Sequence, residues 1–288
     1  MKLCLACGQR FEADDWRCPS CGQAPDLRHG HYSFTPDLAE SSDGFDAEYF
    51  APLARLEAGH FWFRSRNRLL IWVLRRYFPH ANSVLEIGCG TGFVLAGIQR
   101  EFPDLLLSGS ELFSEGLSHA RKRLPGVTLL QMDARHIPFE SEYDVIGAFD
   151  VLEHIEDDET VLVQMCRATK PGGGMILTVP QHRFLWSVVD EYSFHQRRYS
   201  RRELVAKVER AGLEIVRTTS FVSFLLPLMM LSRVKRRKAE ADFDPAAELE
   251  VNPILNVLLE GVLGVERALI RKGFSLPAGG SLLLVAKR

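Results

Sequence analysis

Residues 84–92 read Val84-Leu85-Glu86-Ile87-Gly88-Cys89-Gly90-Thr91-Gly92. A short apolar strand, Val84–Ile87, runs into glycines at three alternate positions, and Phe93–Arg100 follows as a helix. Residues without a Cβ allow a tight turn and let a ligand approach the backbone closely. A dinucleotide fingerprint would need its third glycine at position 93, where Phe93 stands, so this turn suits a different ligand.

Outward from the turn the chain alternates. Leu105–Gly109, Val127–Gln131, Tyr143–Phe149 and Met175–Val179 read as strands, with helices over Glu115–Arg123 and Asp157–Arg167. Such alternation predicts an α/β fold, a doubly wound and mostly parallel sheet with helices on both faces. Ser200-x-x-Glu203 is a capping box opening a helix that ends at Gly212, and Leu213–Thr218 and Ser281–Val285 are closing strands. Upstream, Phe45 to Phe78 has a helical pattern, broken at Gly59 and stopped by Pro79.

Five segments in this order resemble the class I S-adenosylmethionine-dependent methyltransferases. Glu86-x-Gly88-x-Gly90-x-Gly92 resembles their first motif. Glu111 ends the second strand and Asp133 follows the third. Asp150-Val151-Leu152-Glu153-His154 resembles a stretch of the ubiquinone-pathway O-methyltransferases, and Lys170-Pro171-Gly172-Gly173-Gly174 the turn before their fifth strand. The resemblance covers residues 45–218 and the last strand. It implies a Rossmann-like sheet of seven strands, the last antiparallel, with the ligand outside the carboxyl ends of the strands. It also implies S-adenosylmethionine as cofactor, bound by Glu86, Gly88, Gly90 and Gly92, by Glu111 and Leu112 at the ribose, by Asp133 and Ala134 at the adenine, and by Asp150 and Val151.

Methyl transfer to a hydroxyl is helped by a base, and His154 and His195 lie past the fourth and fifth strands, so either is a candidate. A packing role for each histidine is the competing reading. In His60-Phe61-Trp62-Phe63-Arg64 the aromatics are candidates for a cofactor lid, and one of Arg64, Arg66 and Arg68 for a carboxylate contact. Arg197, Arg198, Arg201 and Arg202 crowd the start of the Ser200-capped helix, where cations oppose the helix dipole. That placement suggests an anionic group on the acceptor, against the plainer reading of a solvated charge run.

Four of the six cysteines lie in the first 21 residues, as Cys4-x-x-Cys7-Gly8 and Cys18-x-x-Cys21-Gly22. Two such turns supply a tetrahedral sulfur set for zinc, so residues 1–22 read as a small zinc ribbon. Residues 23–44, with Pro25, Gly30, Pro36 and Gly44, read as a linker, and 45–288 as the methyltransferase domain. The domain carries an insertion over 219–276. Phe221–Leu231 is apolar and is followed by Arg233, Lys235, Arg236, Arg237 and Lys238. A helix then starts at Asn252-Pro253, apolar around most of its circumference, with Leu255, Leu258, Leu259, Val262 and Leu269 on one stripe. It reads as an intramolecular lid, a dimer seam or an anionic-membrane contact.

The 288 residues are 46% hydrophobic and 25% charged, with a formal net charge of -2. This composition excludes a mostly disordered chain and gives no basic field for coating nucleic acid. The opening MKLCLACGQR shows no apolar secretory core, which predicts a cytosolic protein, peripheral to the membrane's inner face if the insertion docks there. The acceptor class expected is a small or lipid-linked anionic molecule. An RNA acceptor is disfavoured by the charge and by Val151-Leu152 following Phe149-Asp150, where a base-methylating signature would have prolines. A non-catalytic adaptor is the rival of a different class, and an intact cofactor motif set argues against it.

Overall fold

The computed structural model describes residues 1–39, 47–235 and 250–288. The centre is a run of parallel strands whose residues are almost all buried, the pattern of a sheet covered on both faces. In chain order the strands are β1 (Lys2–Leu3), β2 (Arg10–Phe11), β3 (Asp26–Arg28), β4 (His31–Ser33), β5 (Ser83–Ile87), β6 (Leu106–Glu111), β7 (Thr128–Gln131), β8 (Tyr143–Phe149), β9 (Thr169–Pro180), β10 (Glu214–Phe221) and β11 (Ser281–Lys287). The helices are α1 (Phe50–Leu56), α2 (Phe61–Tyr77), α3 (Phe93–Glu101), α4 (Ser114–Arg123), α5 (Asp158–Ala168), α6 (Val188–Tyr192), α7 (Arg201–Arg210), α8 (Leu226–Lys235) and α9 (Pro253–Arg271).

The main sheet has the order β10-β11-β9-β8-β5-β6-β7-β4-β3. Strands β5 to β9 are parallel, and β11 lies antiparallel between β9 and β10, as the resemblance implied. From β5 the chain winds one way through β6 and β7 and the other way through β8 and β9, which makes β5/β8 the topological switch point. Alternate residues feed opposite faces. Leu85, Ile87, Ile146 and Leu177 pack with residues of α5 and α7. Val84, Val145, Phe149 and Ile176 pack with residues of α2, α3, α4 and α9.

Two expectations need correction. The sheet has nine strands rather than seven, because the segment read as a linker contributes β3 and β4, with β4 parallel to β7. Its turn signals are real, for His29 and Gly30 both have positive φ, but they close a hairpin. The Gln131 side chain secures the edge: its amide accepts from Ser33 Oγ at 2.8 Å and donates to the Thr35 carbonyl at 2.9 Å. Second, the Lys170–Gly174 stretch is part of β9 rather than a turn ahead of it. Glycine is needed there because a Cβ at Gly174 would stand 2.2 Å from the Ala286 carbonyl oxygen.

The cysteine segment is docked on the sheet's flank. Leu3 N donates to the Pro138 carbonyl, and Trp16 packs edge-on against Phe34 and Phe139, with ring centroids 4.8 and 5.4 Å away. The four Sγ atoms of Cys4, Cys7, Cys18 and Cys21 lie within 4.8 Å of one another, with Cys4–Cys21 at 3.6 Å and Cys7–Cys18 at 3.7 Å. Four sulfurs about 2.3 Å from one zinc would stand about 3.8 Å apart, so the set fits a tetrahedral ion. Gly8 and Gly22, both at positive φ, close the two turns.

In the insertion, α9 lies on α2. Asn256 accepts from Phe61 N at 2.8 Å, Glu260 binds both Arg64 and Arg68, and Leu263 and Ile270 are buried. The expected apolar stripe is therefore only part covered: Leu259 and Val262 pack inward, whereas Leu255 and Leu258 are 46% and 61% exposed, as are the flanking Ile254, Val257 and Val265 at 74%, 66% and 59%. Pro227 sits in the first turn of α8, where a missing N–H costs nothing. Arg236, Arg237 and Lys238 lie outside the described residues.

Candidate active site

The carboxyl ends of β5, β6, β7 and β8 converge on one cavity of about 830 Å³, within the range of small-molecule sites. Of the residues expected to bind cofactor, Gly88, Gly90, Glu111, Leu112, Asp133, Ala134, Asp150 and Val151 line it. Glu86 and Gly92 are not among the lining residues. Gly92 instead starts α3 at φ 76°, pressed against α4.

The glycine turn brings backbone to the cavity. Gly88 has φ 65°, and a Cβ there would stand 2.5 Å from a methyl of Val151, so the two strand ends can meet only around a glycine. Glu111 is held by three amides. Its Oε2 accepts from Gly90 N at 3.0 Å, and Oε1 accepts from Leu112 N at 2.7 Å and Phe113 N at 3.2 Å. Burial pushes its carboxyl above the ordinary range despite these donors. For Asp133, burial works in the same direction, but the Arg135 side chain and amide outweigh it and hold the carboxyl low. These features fit S-adenosylmethionine: a cradle that a Cβ would fill, and an oriented carboxylate at the second strand's end.

The end of β8 carries a strained residue. Asp150, at φ 59°, binds the Arg66 guanidinium, which stacks over the Trp62 ring at 4.4 Å. Arg66, Trp62 and Phe63 all line the cavity, whereas Arg64 and Arg68 are held by Glu260. The sequence left open which arginine faces the site, and α2's packing decides it. Glu86, behind the wall, is fully buried, and its Oε2 has no hydrogen-bond partner among the described residues. Burial, partly offset by Arg66, pushes its carboxyl up to about 8.

His154 and His195 meet at the other end, with rings 4.8 Å apart and nearly perpendicular. Both line the cavity. His154 closes the 3-10 turn Leu152–His154. His195 Nδ1 is 2.9 Å from Asp190 Oδ1, and Arg198 grips both oxygens of the same carboxylate at 2.7 and 3.1 Å. Burial would raise Asp190, but His195 and Arg198 outweigh it and bring it to about 2. Asp190 also completes the capping box of α6 with Ser187. Asp190 and Glu153 were not singled out from sequence. Their places in sequence, Glu153 beside His154 and Asp190 five residues before His195, were the signals available.

The expectation of an anion site at the four arginines needs correction. Arg197 pairs with Asp158 at 3.1 Å, Arg198 with Asp190, and Arg201 donates to the Leu276 carbonyl at 2.6 Å. Three of the four are thus answered by acids and a carbonyl of the same chain, which the linear sequence does not bring together.

A family model described as a methyltransferase domain matches residues 54–218. The chain belongs to that family of methyltransferase domains. It is 32% identical over 109 residues to the dTDP-3-amino-3,4,6-trideoxy-alpha-D-glucopyranose N,N-dimethyltransferase of Streptomyces venezuelae, covering 36% of this chain and 45% of that one. It is 28% identical over 120 residues to the ubiquinone/menaquinone biosynthesis C-methyltransferase UbiE of Desulfotalea psychrophila, covering 40% and 49%. The chain thus spans about half the length of such curated relatives. Among solved structures, a complex of the Haloferax volcanii Trm112 methyltransferase activator with a methyltransferase superposes with TM-score 0.55 at 20% identity, covering 85% of this chain and 96% of that one. The [4+2]-cyclase SpnF superposes with TM-score 0.56 at 16% identity, covering 87% and 98%. These two likenesses show the fold alone. No helix among the described residues is long and apolar enough to cross a membrane.

Proposed function

We propose that this methyltransferase acts on an oxygen of a small or lipid-linked acceptor. The observation that carries the reading is a single cavity with Glu111 and Asp133 along one side and paired imidazoles, His154 and His195, at the other end. The cofactor supplies an activated methyl carbon, so the chain's task is chiefly alignment. Glu111, oriented by its three amides, would accept from the ribose hydroxyls. Asp133 and the Ala134 amide would hold the adenine edge. The acceptor oxygen forms its bond to the methyl carbon as the carbon–sulfur bond breaks with its electron pair on sulfur. The hydroxyl proton leaves at the histidine end.

An anionic acceptor has less support than the sequence suggested, because Arg197, Arg198 and Arg201 are engaged within the chain. The deciding experiment is transfer of labelled methyl from S-adenosylmethionine into fractionated lipid, RNA and small-molecule extracts. Recovery as a methyl ether or ester supports the reading, whereas label on nitrogen, carbon or RNA overturns it.

We further propose that Cys4, Cys7, Cys18 and Cys21 hold one structural zinc, supported by the sulfur spacing. The exposed face of α9, with the basic run at 233–238 in the sequence before it, also supports peripheral docking on an anionic leaflet from the cytosol. Each Lys or Arg near such a surface adds about 1 kcal/mol. Co-sedimentation with anionic vesicles at low salt, lost at high salt and on charge reversal of Arg236 and Arg237, is the expected result. Protein left in the supernatant would sink the membrane proposal.

A further inference from the structure

Glu153 is the least satisfied charged group near the cavity. Its side chain has no exposed surface, and neither carboxylate oxygen has a hydrogen-bond partner among the described residues. A buried carboxylate without partners is costly, and the usual remedies are a proton, a cation or a metal ion. Arg66 and Arg198 are nearby, but Arg66 is committed to Asp150 and Arg198 to Asp190. The groups within reach of Glu153 are instead imidazoles. One ligand atom each from Glu153, His154 and His195 lies within 4.8 Å of the other two.

We infer that Glu153, His154 and His195 form a binding site for a divalent transition-metal cation at the acceptor end of the cavity. One carboxylate oxygen and two imidazole nitrogens suit Mn²⁺, Fe²⁺, Co²⁺ or Zn²⁺, and three protein ligands leave coordination positions open. The surroundings are those of a ligand histidine. His195 Nδ1 is taken by the buried Asp190 at 2.9 Å, which leaves Nε2 to ligate and orients the ring. Arg198, holding both Asp190 oxygens, fixes that carboxylate in turn. Gln196 N donates to the Glu153 carbonyl at 2.7 Å, tying the His195 loop to the Glu153 turn. Asp150 is paired with Arg66 and Asp190 with Arg198, which leaves Glu153 without a cation of its own among the described residues.

The inference deepens the oxygen-transfer reading and rests on it for its purpose. A hydroxyl bound to a divalent cation is far more acidic than a free one. The acceptor's proton would be released on binding, and its oxygen would then attack the methyl carbon with no free imidazole needed as base. The acceptor class follows: a hydroxyl-bearing molecule that reaches the metal through that oxygen.

The test uses the full chain with zinc already on its cysteines, and Mn²⁺ as probe, because thiolates compete poorly for it. Electron paramagnetic resonance titration should show one bound Mn²⁺ per chain. Glu153→Gln and His195→Ala should each weaken binding about tenfold or more, with His80→Ala, at an exposed histidine outside the cavity, without effect. S-adenosylhomocysteine binding, measured by calorimetry on every variant, reports whether the fold survives. His154→Ala is the second ligand variant should His195→Ala fail to fold. Wild-type protein that binds the nucleoside but no Mn²⁺, or binds Mn²⁺ equally with Glu153→Gln, overturns the metal site and leaves the Asp190–His195 pair as an acid–base couple. Mn²⁺ binding without any nucleoside binding would instead defeat the cofactor reading and leave the metal site standing.

Discussion

At the scale of single residues, the carboxylate at the end of β6 is the most informative. Glu111 accepts from the amides of Gly90, Leu112 and Phe113, so its oxygens are aimed before any ligand arrives. Replacing it by alanine removes a charge-assisted contact and leaves three donors to rearrange. Glu111→Ala should weaken S-adenosylmethionine binding by on the order of 1.5–3 kcal/mol, read by calorimetry. Unchanged affinity would take Glu111 out of the site. The sequence identified Glu111 because a motif marks it. It did not identify Arg66 over Arg64 and Arg68, since three arginines at alternate positions of one helix look alike until α9 supplies Glu260 to bind two of them.

At the scale of elements, α2 is held at its start by a histidine. His60 Nδ1 accepts from Trp62 N at 3.3 Å, which requires that nitrogen to be unprotonated. Burial, reinforced by Arg64, lowers His60 from 6.5 to about 4, and burial with Arg121 does the same for His31. The sign follows directly. Between pH 6.5 and about 4 the unfolded chain binds these protons and the folded one does not, so stability falls as pH drops through that window. Because Trp62, Phe63 and Arg66 ride on α2, nucleoside affinity should fall along with it. Melting temperatures across this range test the idea, with His60→Asn, a capping acceptor that does not titrate, flattening the decline. A profile identical to wild type would remove His60 as its source. Element boundaries from periodicity were close for β5, β8, α3 and α7, whose strands are buried on both faces or whose caps are local. β3 and β4 were missed because three-residue strands have no periodicity to read.

At the scale of the whole molecule, the cysteine segment is part of the packing rather than an appendage. Cys4, Phe11, Trp16 and Cys18 belong to the same apolar cluster as Leu130, Ile137 and Phe139. Trp16→Ala should therefore cost about 3–5 kcal/mol of stability while leaving a cysteine-bound zinc in place. Cys4→Ser with Cys21→Ser should release the metal, lower the melting temperature and change nucleoside affinity less. Chemical denaturation and elemental analysis separate the two outcomes. No zinc in protein purified without chelator would defeat the ribbon assignment. The docking also explains how β4 is held beside β7: Trp16 of the cysteine segment packs on Tyr32 and Phe34 of the hairpin's flank.

Taken alone, the sequence determined the parallel α/β class, the glycine turn and most of the residues that gather at the ends of β5 to β8. Each of these rests on spacing within one strand–turn–helix unit, and local geometry follows from local order. The histidine end of the cavity was decided only by the tertiary structure. Glu153 and His154 come from β8's end, whereas Asp190, His195 and Arg198 come from the segment after β9, and only the sheet's parallel register brings those two loops to one edge. The arginines of 197–202 illustrate the same division. As a string they look like an anion site, and in the fold Asp158, Asp190 and the Leu276 carbonyl already answer Arg197, Arg198 and Arg201. Charge balance depends on neighbours in space, and those neighbours are set by how β9, α5 and the last helix pack.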